Sequence, residues 1–193
     1  THLHTDHTAG LPDLLYTPWV LEREKPLQLI GPKGLRDMAK YIEIAYSADL
    51  DMRLYGDEPA NHTGYKSKVT ELLPCKEDYG TIYEDKNVRV EAFTVKHGHL
   101  QALAYKFITE DRTIVISGDT APVPIMVEKA MNADILLHEC EYTAGLSQRS
   151  EQWQIYHRNV HTMSVDLAEI AKKAHPKLLV TYHRIYHMSI QDN

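Results

Sequence analysis

Three imidazoles and a carboxylate fall within six consecutive residues in His2-Leu3-His4-Thr5-Asp6-His7. Neutral imidazole nitrogens and carboxylate oxygens are common ligands of transition-metal ions, and one short loop can turn several of them inward together. Side chains two apart on an extended segment share a face, so His2, His4 and Asp6 are expected to converge. His7 then needs a turn, which Gly10 helps to permit. Four more candidates stand where apolar runs stop: His97, Asp119 after Ser117-Gly118, His138 followed by Glu139, and His183. The ends of adjacent strands lie about 5 Å apart, so residues delivered there can meet around one metal pair. Two dications about 3.5 Å apart lower the pKa of a shared water and clamp an oxygen of the scissile group, which is hydrolytic chemistry.

The elements that must position these residues alternate between strand and helix. Leu27-Gln28-Leu29-Ile30 predicts a strand stopped by Gly31-Pro32, and Leu35, Met38, Ala39, Ile42, Ala45 and Tyr46 recur at helical spacing. Leu11, Leu14 and Leu15 predict a short helical turn, and residues 47–68 an irregular, cleft-bordering insertion. A weaker strand pattern over 69–83 carries a turn near Asp78-Tyr79-Gly80, and better strands follow at 88–95 and 103–108. The runs Thr113-Ile114-Val115-Ile116, Ile135-Leu136-Leu137 and Leu178-Leu179-Val180 belong deep in a sheet. Helices are expected around 123–132 and from Ser164, a cap residue, onward; residues 141–160 look like loop. His99 reads as a pocket or loop residue, and His157, His175 and His187 as surface or packing residues.

A length of 193 residues fits a single domain over 1–193. Hydrophobic residues at 43% and charged residues at 25% are ordinary for a globular chain and exclude a disordered one. No apolar run reaches the roughly 18 residues of a membrane span. The net charge of −6 works against a large nucleic-acid footprint. Cys75 and Cys140 are too few for a disulfide scaffold, so a reducing, cytoplasmic setting is expected.

Taken in order, His2-Leu3-His4-Thr5-Asp6-His7, Val95-Lys96-His97, Ser117-Gly118-Asp119-Thr120, His138-Glu139, His161-Thr162 and His183 resemble the motifs of the metallo-β-lactamase fold superfamily. The likeness is to its branch of ribonuclease Z, arylsulfatase-like hydrolases and related phosphodiesterases. It implies an α/β fold, the αββα sandwich, here lacking its first strands and its C-terminal end, with an open sheet edge that favours a homodimer. The resemblance further implies two divalent metal ions, zinc foremost with Mn, Fe or Ni as alternatives. One is held by His2, His4 and His97, the second by Asp6, His7 and His183, with Asp119 bridging. Asp6 also orients the attacking hydroxide, His161 protonates the leaving group, and Glu139 steadies His161.

Ribonuclease Z enzymes usually carry a projecting arm that grips transfer RNA, in bacterial forms between the third histidine motif and the bridging Asp. Only Thr109-Glu110-Asp111-Arg112 separates the two strands there. Together with the acidic charge, this places a small phosphate, sulfate or carboxylic ester first as substrate and RNA 3′ processing second. A non-catalytic metal-binding fragment is a further alternative. A flavodiiron redox enzyme is disfavoured, because its first motif has Glu where this chain has His4.

Overall fold

The computed structural model describes residues 1–187. Contacts group the chain into two compact units, Leu3–Leu73 and Thr1–His2 with the chain from Pro74 onward, where the length alone predicts one domain.

The unit of residues 3–73 contains α1 (Thr5–Thr8), α2 (Leu11–Val20), β1 (Leu27–Pro32), α3 (Leu35–Ala45), α4 (Ser47–Tyr55) and β2 (Ser67–Leu72). β1 and β2 run parallel, with Leu27 opposite Ser67 and Pro32 opposite Leu72. The predicted stripe of α3 holds over its first turns, where Leu35 and Ala39 pack with Leu15, Tyr16, Trp19, Leu29 and Leu50 in this unit's own core, while Ala45 and Tyr46 at its end are exposed. Two expectations change here. The insertion at 47–68 is not irregular throughout, because Leu50 and Leu54 join that core and fold its first half into α4. The short turn after Gly10 is a ten-residue helix that runs through Pro18.

The other unit is built on a six-stranded sheet of β3 (Asp78–Glu84), β4 (Arg89–His97), β5 (Leu100–Ile108), β6 (Thr113–Ile116), β7 (Ile135–Glu141) and β8 (Leu178–Ile185), in that spatial order. Pairing is antiparallel from β3 to β6 and parallel from β6 to β8. Its helices are α5 (Pro124–Ala130), α6 (Thr143–Leu146), α7 (Glu151–Val160) and α8 (Ser164–Ala174). Phe93, Val95, Ala102, Ala104, Val115 and Leu136 from the sheet meet Met126 of α5 and Ile170 of α8 in one apolar core. β7 is largely buried, but β8 is not: Leu178 is 52% and Val180 38% exposed, so the run Leu178-Leu179-Val180 does not lie deep in the sheet as its apolar sequence predicts, because β8 has only β7 beside it among the described strands.

Here too the structure departs from the sequence pattern. The turn expected near Gly80 is strand β3, with a shift of register beside Gly80. The loop expected over 141–160 holds α6 and α7; α7 buries only His157 and Val160, so it offers no apolar stripe to read. Ser164 is the first residue of α8, and Met163 takes the cap position. Among the described residues, no helix is long and apolar enough to cross a membrane.

Candidate active site

The sheet of the second unit delivers most of the predicted residues to one place. The Leu103 amide donates to the Thr1 carbonyl at 3.0 Å, which fastens the first two residues beside β5. His2 is buried, and its ring lies 4.6 Å from that of His97 at the end of β4. His97 donates from Nδ1 to the Val160 carbonyl at 2.8 Å. A carbonyl only accepts, so the Nδ1 proton is fixed there and Nε2 keeps the lone pair a metal would need.

Asp119 follows β6 through a turn at Gly118, whose φ of 62° lies in the left-handed region. A Cβ at 118 would approach the Leu103 carbonyl oxygen to 2.8 Å and the Thr1 side chain to 2.9 Å. Gly118→Ala is therefore expected to cost at least the roughly 1–2 kcal/mol of a left-handed L-residue. Denaturant unfolding measures it, and an unchanged midpoint would show that the turn relaxes.

His183 reaches the site by a bulge. Glu139 pairs with Tyr182 and Cys140 with Arg184, so His183 is the extra residue, at a φ of 45°. A bulge re-aims a side chain that regular alternation would send elsewhere. His183 Nε2 stands 3.4 Å from Asp119 Oδ2. Ligand-type atoms of His97, Asp119 and His161 all lie within 4.8 Å of one another, as do those of Glu139, His161 and His183. These are nitrogen and oxygen donors on buried or half-buried side chains, with one His tautomer already fixed. The donor set fits a divalent transition metal.

Glu139 is fully buried, and its Oε1 accepts from the Thr120 amide at 3.1 Å, the Thr162 amide at 3.0 Å and His161 Nδ1 at 3.1 Å. One oxygen thus ties together the turn after β6, strand β7 and the start of α8. Its second oxygen has no hydrogen-bond partner among the described residues. Burial pushes the Glu139 carboxyl up against the lowering effect of these bonds. Burial pulls His161 down, but the Glu139 bond and charge outweigh it and hold His161 above its ordinary value. Both shifts favour a proton on the pair. The His161 ring lies between those of His157 and His183, stacked at 5.6 and 5.7 Å.

The sequence groups His138 with Glu139, and the strand separates them. Alternation puts His138 on the face of Leu136, which lies in the apolar core, and Glu139 on the other. His138 donates from Nδ1 to the Glu139 carbonyl at 2.7 Å, and burial lowers its pKa to about 4. It is a neutral core histidine.

Alternation also identifies what the sequence pattern misses. Glu141 shares the face of Glu139 and is equally buried. Its two oxygens accept from His157 Nδ1 at 3.0 Å and His187 Nε2 at 2.7 Å. His157 and His187 are thus not plain surface or packing residues: with Glu141 they form a second carboxylate–imidazole cluster, and the His157 ring supports His161. A buried carboxylate needs such partners, so two acids at alternate positions of an apolar strand are the signal. His99 lines an open pocket of about 700 Å³ with His97 and Gly98.

His4, Asp6 and His7 belong to the other unit. The expected extended segment gives way at Thr5 to the single turn α1, where His7 N donates to the His4 carbonyl at 3.2 Å. His7 Nε2 lies 3.3 Å from Asp6 Oδ2. Gly10 has a φ of −82° and plays no left-handed role in making that turn.

Residues 1–184 match the family described as Beta-lactamase superfamily domain, and the chain belongs to that superfamily as a metal-dependent hydrolase. Within it the chain stands near ribonuclease Z. It is 31% identical to ribonuclease Z of Ignicoccus hospitalis over 216 residues, covering 95% of this chain and 68% of that one. Ribonuclease Z of Bacillus cereus is 26% identical over 233 residues, with the same coverage. Among solved structures, human tRNase Z, short form, superposes with a TM-score of 0.72 at 25% identity, covering 96% of this chain and 71% of that one. A metallo-β-lactamase fold protein of Bacillus subtilis, at 18% identity and a TM-score of 0.63 over 100% of this chain and 66% of its own, shares the fold.

These relatives overturn one expectation. The small-molecule ester partner is withdrawn, and so is the view that nucleic acid is an improbable one. Net charge is a sum over the whole surface, whereas phosphate binding depends on the local field. The missing arm between β5 and β6 concerns grip on a substrate and leaves the bond-breaking residues untouched.

Proposed function

We propose that this chain is a metal-dependent endonuclease that cleaves an RNA phosphodiester in 3′ processing, in the manner of ribonuclease Z. The observation that carries the reading is the 31% identity to a ribonuclease Z over 95% of the chain. The 3.1 Å bond between Glu139 and His161 supports it, because an alkoxide leaving group needs a proton and a carboxylate on Nδ1 stabilises the protonated ring that would give one.

In this proposal His2, His4 and His97 would hold one divalent ion, Asp6, His7 and His183 a second, and Asp119 both, with zinc the expected metal. His4, Asp6 and His7 enter on the sequence motif. When bound, the metals would supply Lewis-acid polarisation of the phosphoryl group and acidify water. Asp6 orients the attacking water and takes the proton that the water loses as it adds to phosphorus. As water adds to phosphorus, the bond to the ribose 3′ oxygen breaks, and its electron pair leaves with that oxygen. His161 gives the oxygen a proton from Nε2, while Nδ1 stays bound to Glu139, whose negative charge stabilises the protonated ring.

The test is cleavage of a 3′-extended transfer-RNA precursor. We expect turnover that a chelator stops and that Zn or Mn restores. Failure to cleave with Zn, Mn, Fe or Ni supplied, by a preparation that binds metal, would overturn the reading.

A further inference from the structure

Around the second carboxylate–imidazole cluster lies a surface that the proposed chemistry does not use. Trp153 and Tyr156 are each 48% exposed on α7, and Tyr142 and Tyr186 each 46% exposed on the flanking segments. Exposed large aromatics are costly in water and mark contact surfaces when they gather. Trp153 and Tyr156 touch at 5.8 Å, and Tyr142 and Tyr186 at 6.5 Å.

Both pairs are tied to the site. Trp153, Tyr156 and His157 sit at i, i+3 and i+4 of the helix, so the two aromatic rings share the face of the buried histidine. Trp153 meets the His157 ring at 5.6 Å, and His157 stacks on His161. The exposed indole is thus two ring contacts from the proposed proton donor. Tyr186 precedes His187, the second partner of Glu141.

Each pair also carries a cation. The Arg149 guanidinium lies 5.6 Å from the Trp153 ring and that of Arg184 5.9 Å from the Tyr186 ring, and both arginines are exposed. Aromatic faces that take bases, interleaved with guanidinium groups that take phosphates, make a platform for a single strand. A protein partner would not need the arginines paired with the rings, and a duplex would leave the rings without bases to stack on.

We infer that this face, Trp153 and Tyr156 with Arg149 beside Tyr142, Tyr186 and Arg184, binds the unpaired bases of an RNA segment next to the scissile bond. The inference rests on the RNA reading above and adds a subsite to it. The sequence would be read weakly there, since every base has a π-face.

The two tryptophans make the test direct. Trp19 is 2% exposed and Trp153 is 48%, so quenching by an added oligonucleotide reports Trp153. A short single-stranded RNA should quench the emission saturably. With a labelled copy followed by anisotropy, Trp153→Ala should weaken binding about tenfold, and Trp153→Phe, which keeps a ring, should restore most of the loss. Trp153 is a surface residue, so the unfolding midpoint should not move in either variant. Unchanged affinity in Trp153→Ala, with precursor cleavage intact in the wild type, would overturn the subsite and leave the endonuclease reading standing. Absence of both cleavage and RNA binding in the wild type would remove both. Quenching that follows protein concentration alone would mean that a second copy covers the face, which also overturns the inference.

Discussion

Replacing His161 by alanine is expected to lower turnover by about 10²- to 10⁴-fold while leaving the bound metal in place. The expectation follows from what the ring touches. Its Nδ1 is committed to Glu139 Oε1 at 3.1 Å, and the proposed donors His2, His97, Asp119 and His183 reach the site from other elements. Removing His161 takes away the proton for the leaving oxygen but none of those donors. Metal analysis and precursor cleavage on the same preparation check it. A leaving group that needs no proton, such as p-nitrophenolate from a phosphodiester, should lose far less than RNA does. Loss of metal in proportion to activity would make His161 a ligand.

Asp119→Ala is expected to do the opposite, releasing metal and activity together. Losing an outer partner of a metal ligand already costs about 10- to 100-fold in affinity, and Asp119 as a shared ligand should cost more than that. It is 2% exposed, with His183 at 3.4 Å and the close-fitting turn at Gly118 behind it. The fold should survive, because the carboxylate lies outside the apolar core. Titration with Zn, read by metal content after desalting, measures the affinity. An Asp119→Ala chain that keeps its full metal content would remove Asp119 from the proposed ligands.

The parts of this molecule that sequence pattern reveals are those fixed by local periodicity. The stripe of α3 and the β-branched run of β6 each encode their burial within a few residues, and they place Asp119 at a strand end without further information. His97 is legible for the same reason. Other features depend on partners distant in sequence. His183 lies inside β8, and only the unequal pairing with β7 turns it out of regular alternation. His157 is buried against Glu141, sixteen residues away, on a helix whose exposed aromatics hide any apolar stripe. His138 shows the converse failure: its identity as a potential ligand is local, but its side is set by the strand, and the strand turns it into the core.

Net charge and the short turn between β5 and β6 point away from RNA for a related reason. Net charge is a sum over the whole chain and the short β5–β6 turn is one loop away from the buried residues, whereas the proposed chemistry depends on a few buried groups. Arg149 and Arg184 are two positive charges in a chain of net −6, yet they lie beside the rings where a single strand would pass.

The nature of the ends made from a 3′-extended RNA distinguishes the proposed chemistry from its alternatives. Attack by water with proton delivery to the leaving 3′ oxygen yields a 3′-hydroxyl on the upstream fragment and a 5′-phosphate on the downstream one, only when divalent metal is supplied. Those ends, with that dependence on metal, are expected. A 2′,3′-cyclic phosphate, which requires attack by the ribose hydroxyl, or cleavage that persists in a metal-stripped chain, would contradict the proposed chemistry.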